Sequence, residues 1–353
     1  MFKDVLDQQK SLFKDEHALG YEFVPAILPY RENEQQHLAA CIKPLFQGRT
    51  GRNLLIHGAP GIGKTAAARF VLRDLEDTTD RVTCIFVNCW KHNTTFKVLA
   101  EMCDQIGYAF THNKKTDELS RIVAHNLNKS SAVVVFDEID KAEDTDFLYF
   151  LLEEIDRKVV FLITNFKEWL TELDERVKSR LMAELVEFKP YNQKEVAGIL
   201  RKRLGYAFRE DVWDEEAFQK TCVRTVKAGD IRVGLYLLKE AGMLAEEKFR
   251  DRITSEYVDR AIKKLDEFTI KSPKELDTEA KIVLGVCRKH PGKKIGDVFE
   301  EYKKAGGKSV YKTFQRRIRY LAENRFITQE RRTGGSEGTT TIIHPANKKI
   351  TEF

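Results

Sequence analysis

The chain has 353 residues, 42% hydrophobic and 33% charged, the balance of a globular protein with room for two or three domains. No apolar run reaches the roughly 18 residues that cross a bilayer, and the opening MFKDVLDQQKSLFKDE interleaves acids where a signal peptide is apolar, so a cytoplasmic protein without membrane contact is expected. The net charge of +5 is uneven: Ala280 to Phe353 has 17 Lys and Arg against 7 Asp and Glu, a net of +10, leaving −5 for the rest and pointing to a polyanion partner for the basic end.

Residues Met1 to Tyr30 read as a helix and an extended lead-in. RENEQQHLAACIKPLF follows, with Leu38, Ile42 and Leu45 at helical spacing. Strands and helices then alternate. NLLIH is a buried strand that runs into GAPGIGKT, TAAARFVLRDL is a helix, and VTCIFVNC is a second strand. Thr95–Ile106 and Thr116–Asn128 read as two helices with a polar connection. AVVVF and VVFLI are further strands around a helix near Phe147–Asp156, and AELVEF is a short fifth. This alternation predicts a parallel sheet covered on both faces. From Asn192 to about Phe268 amphipathic helices take over, and TIKSPKELD reads as a linker. The six cysteines, Cys41, Cys84, Cys89, Cys103, Cys222 and Cys287, form no CxxC pair, and no histidine cluster completes a zinc spacing. Buried free thiols in a reducing compartment are expected.

The stretch Gly58, Ala59, Pro60, Gly61, Ile62, Gly63, Lys64 and Thr65 spells GxxxxGK[ST] between a strand and a helix. Its glycines let backbone N–H groups turn inward onto phosphate oxygens, and the helix N-terminus adds partial positive charge. Lys64 is expected to neutralise β- and γ-phosphates and Thr65 to offer a hydroxyl to Mg²⁺. AVVVFDEID delivers Asp137 to a strand end as a second magnesium-holding group, with Glu138 next to it to polarise the attacking water. Asn165 ends FLITN, where an amide can orient that water. Arg176 and Arg180 lie one turn apart in LDERVKSRL, and Arg232 starts the helix of GDIRVGLYLL.

The last 75 or so residues give three helices and a hairpin. Ile282, Val283 and Val286 mark the first helix. IGDVFEEYKKAG is the second, stopped by Gly306 and Gly307. SVYKTFQRRIRYLAEN is the third, with Ser309 as its N-cap. Val310, Phe314, Ile318 and Leu321 fall within about 80° of one another on a helix, with Lys312, Arg316 and Arg319 opposite and Gln315 beside them. RFITQERRTGGSEGTTTIIHP then places two strand-like runs around a Gly-rich turn, with Arg331 and Arg332 next to it. A recognition helix followed by a basic wing is the pattern of a winged helix. Winged helices also bind proteins; the cationic face favours duplex DNA.

Together these strings resemble the AAA+ ATPases of the initiator clade, and within it the archaeal-type origin-recognition and helicase-loading proteins, over about Ile27 to Pro345. LPYRENEQQ is similar to the family's segment near the adenine, with Pro29 and Arg31 the matching residues. ITN resembles sensor 1, LDERVKSRL the arginine-finger region, where Arg180 is preferred, and GDIRVGLYLL the sensor 2 helix. The resemblance implies an α/β fold: a five-stranded parallel AAA+ sheet with helices on both faces over 1–190, an α-helical lid over 191–270 and a winged-helix domain over 275–353. It implies ATP or ADP with Mg²⁺, slow hydrolysis acting as a switch, and binding to double-stranded DNA at replication origins. It also implies recruitment of the replicative helicase and oligomers with itself or related ATPases. One stretch departs from the family pattern: the connection GYAFTHNKKTDEL keeps a basic tip at Lys114 and Lys115 but differs elsewhere. An ATP-gated DNA-binding regulator that loads no helicase would carry the same pocket and tail.

Overall fold

The computed structural model describes residues 11–268, 276–323, 326–332 and 340–345. It forms two compact units, Met1–Ala261 and Ile262–Phe353.

The first unit is built on a sheet of β1 (Leu54–His57), β2 (Val82–Asn88), β3 (Ser131–Asp137), β4 (Lys158–Thr164) and β5 (Glu184–Glu187) in the order β2-β3-β4-β1-β5. Every pairing is parallel. Such a sheet needs cover on both faces, and β3 shows it: Val133 and Val135 join one core while Val134 and Phe136 join the other. Helices α1 (Glu32–Ile42) and α2 (Lys64–Thr78) cover the first face. Helices α3 (Thr95–Gln105), α4 (Thr116–Leu127) and α5 (Asp146–Glu154) cover the second. The helix expected through Phe46 stops at Ile42. Pro44 cannot donate its nitrogen to the helix ladder, so Lys43–Gln47 tightens to a 3₁₀ turn that Gly48 ends at φ 69°. Two short helices, α6 (Trp169–Glu172) and α7 (Glu175–Leu181), lead into β5.

Register positions the site. His57 pairs with Thr164 and Phe136 with Leu162. The residues just beyond these strand positions, Gly58, Asp137 and Asn165, therefore meet at one carboxyl-end crevice, the usual ligand position of an open α/β sheet.

Four helices complete this unit: α8 (Gln193–Ala207), α9 (Glu215–Ala228), α10 (Ile231–Glu246) and α11 (Ser255–Phe268). Asn192 starts α8 with a capping box, accepting from Lys194 N and Glu195 N. The α/β body and these helices lie in the first compact unit, which ends inside α11 at Ala261. The physical reason is packing: Tyr257, Val258 and Ala261 are the last buried side chains of α11 before its residues turn outward.

From Ser11 onward the lead-in is an irregular strap with one 3₁₀ turn at Glu16–Leu19; residues 1–10, where the expected helix would begin, lie outside the described residues. Phe13 bridges to Phe208, Lys14 N and Asp15 N donate to Ala207 O, and Leu12 N donates to a Glu246 carboxylate oxygen 2.6 Å away. Downstream, Arg73 of α2 donates to Val24 O and Pro25 O. One short segment thus joins the helices α8 and α10 to the α/β body.

The second unit holds α12 (Thr278–Lys289), α13 (Ile295–Lys304) and α14 (Tyr311–Glu323) against an antiparallel sheet ordered β6-β8-β7, from β6 (Lys293–Lys294), β7 (Ile327–Arg332) and β8 (Thr340–Pro345). Phe314, Ile318 and Leu321 of α14 are buried as expected. Val310 is not: it precedes the helix and stands 66% exposed, while its carbonyl accepts the first helical N–H bonds from Thr313 and Phe314. Ser309 does not cap α14 either. Its hydroxyl donates to Glu279 Oε2 at 3.0 Å and its N–H to the buried Tyr302 hydroxyl at 2.9 Å. The Gly-rich turn of the wing lies outside the described residues. Among those described, no helix is long and apolar enough to cross a membrane. Five of the six free cysteines are buried and Cys84 is partly so. Burial pushes the Cys84, Cys89 and Cys287 thiols up to about 12, which leaves them inert as nucleophiles.

Candidate nucleotide site and nucleic-acid surface

Between β1 and α2 the chain curls through positive φ at Gly61 (71°) and Gly63 (90°). A Cβ at Gly61 would lie 1.8 Å from Asp230 Oδ1, and one at Gly63 would lie 2.5 Å from the Tyr191 hydroxyl. Positive φ favours glycine at both positions, and an added Cβ would also have to displace the Asp230 carboxylate and the Tyr191 hydroxyl. The curled loop closes over Lys64, whose Nζ donates to Gly58 O (2.7 Å), Ala59 O (2.8 Å) and Asn165 Oδ1 (2.9 Å). Burial lowers the Lys64 pKa to about 8, against the pull of Asp137 upward. Thr65 Oγ1 lies 3.1 Å from both oxygens of Asp137. Burial pushes Asp137 up to about 6, partly offset by the Thr65 hydrogen bond. Glu138 takes a left-handed backbone, φ 54°, and donates its N–H to Asp137 Oδ1 at 3.1 Å. A non-glycine residue held in that region is uncommon and concentrates at functional sites.

A cavity of about 240 Å³ sits above these groups. It gathers Pro60, Gly61, Gly63, Lys64, Thr65, Asp137, Glu138, Asn165 and Arg232. Gly58 and Ala59 contribute through the carbonyls that hold Lys64, and Ile62 buries its side chain beneath the loop. The lid closes one wall. Ile231 N donates to Gly61 O at 3.1 Å, so the N-terminus of α10 abuts the loop. Arg232 lies half-exposed beside it, paired with Asp230 at 2.7 Å.

Pro29 and Arg31 do not line this cavity. Arg31 is 4% exposed, and its guanidinium is fully engaged: Nη1 pairs with Glu34 at 2.7 Å, while Nη2 donates to Ile62 O at 2.9 Å and to Lys189 O at 2.6 Å. It stacks 4.1 Å from the Tyr191 ring centre. Arg31 therefore braces the loop from behind. Two lining residues belong to no motif of the sequence, Tyr21 from the strap and Arg203 from α8. Arg203 Nη1 donates to Ala18 O at 2.9 Å and Nη2 to Phe23 O at 2.8 Å. Burial lowers its pKa to about 10. The sequence does carry a signal for Arg203: with Val196, Leu200 and Ala207 it lies on the buried stripe of α8. Tyr21 has no periodic neighbours to betray it.

Arg176 and Arg180 lie outside the cavity on α7. Arg176 pairs with Asp174 at 3.0 Å. Arg180 contacts Glu153 and sits 5.0 Å from the Tyr149 ring centre. In the connection that departs from the family pattern, Lys114 pairs with Glu118 at 3.0 Å, and Lys115 N donates to the same carboxylate.

On α14, Lys312, Gln315, Arg316 and Arg319 are all exposed, opposite the buried stripe. Arg317 is turned away from them and pairs with Asp277, the N-cap of α12, at 2.6 Å. Arg331 and Arg332 fall in β7, where their backbones pair with Thr341 and Thr340; their side chains lie outside the described set.

Residues 27–163 match the AAA ATPase domain family, and residues 197–263 match the Cdc6 AAA+ ATPase-type lid domain. ORC1-type DNA replication protein 1 of Sulfurisphaera tokodaii is 31% identical over 328 residues, covering 87% of this chain and 82% of that protein. Its namesake from Archaeoglobus fulgidus is 30% identical over 342 residues, covering 90% and 83%. Among solved structures, the Aeropyrum pernix ORC1 protein in complex with DNA superposes with a TM-score of 0.68 at 25% identity, over 97% of this chain and 96% of that one. Cdc6p from Pyrobaculum aerophilum has the same fold, with a TM-score of 0.65 at 19% identity over 96% and 95%.

Proposed function

The chain belongs to the ORC1-type DNA replication proteins, and on that premise we propose that it is an ATP-switched initiator that binds duplex DNA at replication origins and helps recruit the replicative helicase. One observation carries the reading: a phosphate loop, a paired acid and a lid arginine line one cavity in a chain that also presents a cationic helix face. ATP phosphates take the place of the carbonyl partners that Lys64 now holds. The loop N–H groups and the α2 N-terminus complete the anion cradle. The hydroxyl of Thr65 and the carboxylate of Asp137 form an all-oxygen donor pair 3.1 Å apart, which suits Mg²⁺. When bound there, the ion would neutralise charge on the β- and γ-phosphoryl oxygens.

Glu138 accepts the proton of the attacking water, and Asn165 orients that water while steadying Lys64. Arg232 exchanges Asp230 for γ-phosphate oxygens and so registers whether that phosphate is present. Arg180, exposed and outside its own cavity, serves a neighbouring subunit's nucleotide. Lys312, Arg316 and Arg319 meet DNA phosphates, and Gln315 adds base contact in the groove. Arg331 and Arg332 act from the wing. Turnover is slow, as befits a switch, and the protein works in the cytoplasm on the nucleoid. Mapping bound DNA across the genome tests this reading. Peaks at replication start sites support it; peaks at promoters would assign an ATP-gated regulator instead.

Two further results are expected. Arg203→Met keeps the stem but leaves the Ala18 and Phe23 carbonyls without their donor and frees Tyr21. Nucleotide affinity should fall by about 2 kcal/mol, roughly thirtyfold, and equally for ATP and ADP, as calorimetry would read. A loss confined to ATP would place Arg203 among the γ-phosphate contacts.

The pH dependence follows from the buried pair. Below about 6, Asp137 in the free protein holds a proton and loses its charge for a cation. Above about 8, Lys64 loses the proton that attracts phosphate. Ligand charge reverses both tendencies, so Mg²⁺–ATP binding near pH 6 should release a proton and binding near pH 8 should take one up. Calorimetry in buffers of different ionisation enthalpy detects both signs. A constant proton count across that range contradicts the assignment.

A further inference from the structure

Folding brings three metal-ligand types together where α1 meets the edge strand β5. His37 and Cys41 stand one turn apart on the same face of α1. Glu184 opens β5, which among the described residues pairs with β1 alone. His37 Nε2 lies 3.1 Å from Glu184 Oε1 and 4.0 Å from Cys41 Sγ. All three ligand atoms fall within 4.8 Å of one another. A single ring nitrogen thus faces both a sulfur and a carboxylate oxygen, while one N–H can point at only one of them. A shared central ion satisfies both.

The spacing suits zinc. Bonds of about 2.0 to 2.3 Å in a tetrahedron put ligand atoms roughly 3.3 to 3.6 Å apart, so closure here needs shifts of less than about 1.5 Å at any pair. Cys41 is fully buried, whereas the His37 and Glu184 side chains are 33% and 45% exposed. The thiolate therefore lies inside, and a fourth, water ligand can enter from outside. Arg52 Nη1 donates to Glu184 Oε2 at 3.2 Å. That bond turns the other oxygen toward His37, the outer-shell support that ligating carboxylates usually have. A bound metal would take the place of the Cys41 thiol proton.

We propose that His37, Cys41 and Glu184 form a Zn²⁺ site that pins α1 to β5. The position has a consequence for the phosphate loop. Arg31 is the N-cap of α1, and its Nη2 ties Ile62 O of that loop to Lys189 O, two residues beyond β5. A metal joining α1 to β5 would stiffen the frame that holds the loop from behind.

The test uses the full chain, reduced and stripped with a chelator, titrated with Co²⁺ as the optical probe and Zn²⁺ as competitor. One Co²⁺ per chain should give a thiolate-to-cobalt charge-transfer band, bleached by Zn²⁺ and lost in Cys41→Ser. Oxygen-only binding at Thr65 and Asp137 gives no such band. His37→Gln, at a part-exposed position that the fold tolerates, should weaken Co²⁺ binding by roughly tenfold or more, so the proposal stays testable if Cys41→Ser misfolds. No charge-transfer band in the wild-type chain overturns the site. So does a band that survives His37→Gln with unchanged affinity, which would remove His37 from the ligand set.

Discussion

Glu138→Gln is expected to keep ATP and stop hydrolysing it. The amide preserves size and the left-handed turn at φ 54° but cannot take a proton from water. Removing a positioned general base costs roughly a hundredfold or more in turnover. Thr65, Asp137 and Lys64 are untouched, so ATP affinity should stay within about twofold. Single-turnover hydrolysis against equilibrium ATP binding separates the two quantities. Wild-type turnover would place the base elsewhere; Asp140, which accepts from Thr164 at 2.9 Å, is the next carboxylate at that strand end.

Lys64→Ala should produce the opposite split: loss of nucleotide with the fold kept. The charge-assisted bonds of Lys64 to phosphate are worth about 3 kcal/mol or more, roughly a hundredfold in affinity. Removing the ammonium also frees the Gly58 and Ala59 carbonyls that it now joins. Because Gly58 is only partly buried and Ala59 is exposed, water can replace the ammonium on these carbonyls, so far-UV circular dichroism and the melting transition should change little. ATP affinity equal to that of the wild type would remove the loop from the mechanism.

The parts of this site that can be read in the sequence are those where backbone chemistry leaves few options. A curled anion loop needs glycines where side chains would strike Asp230 and Tyr191, so Gly61, Gly63, Lys64 and Thr65 announce themselves. Asp137 and Asn165 can be placed because each ends an apolar run in a parallel sheet, whose carboxyl ends converge. The role of Arg31 is not legible in this way. Its guanidinium pairs with Glu34 on the same helix, but its hold on the loop runs through the carbonyls of Ile62 and Lys189, and carbonyls carry no sequence signature. Tyr21 owes its place to a strap held by Arg203, Glu246 and Ala207, partners that lie some 180 or more residues away in the chain. In the tail, the stripe of Phe314, Ile318 and Leu321 marks α14, but the helix begins later than its sequence pattern implies. Ser309 prefers the buried Tyr302 hydroxyl and the Glu279 carboxylate to a capping role, and that pair is assembled only when α12 and α13 pack.

Coupling between the nucleotide held in the first unit and the grip of the second on duplex DNA is the central claim. Its most direct test measures duplex affinity against salt with ATP and then ADP bound, for the wild type and for a chain with Lys312, Arg316 and Arg319 all changed to Ala. The expected result is a different affinity in the two nucleotide states and, for the triple variant, a log–log salt slope shallower by about 2.7, at about 0.9 for each phosphate left without its cation. Equal affinity with ATP and ADP, together with an unchanged slope in the triple variant, would contradict it.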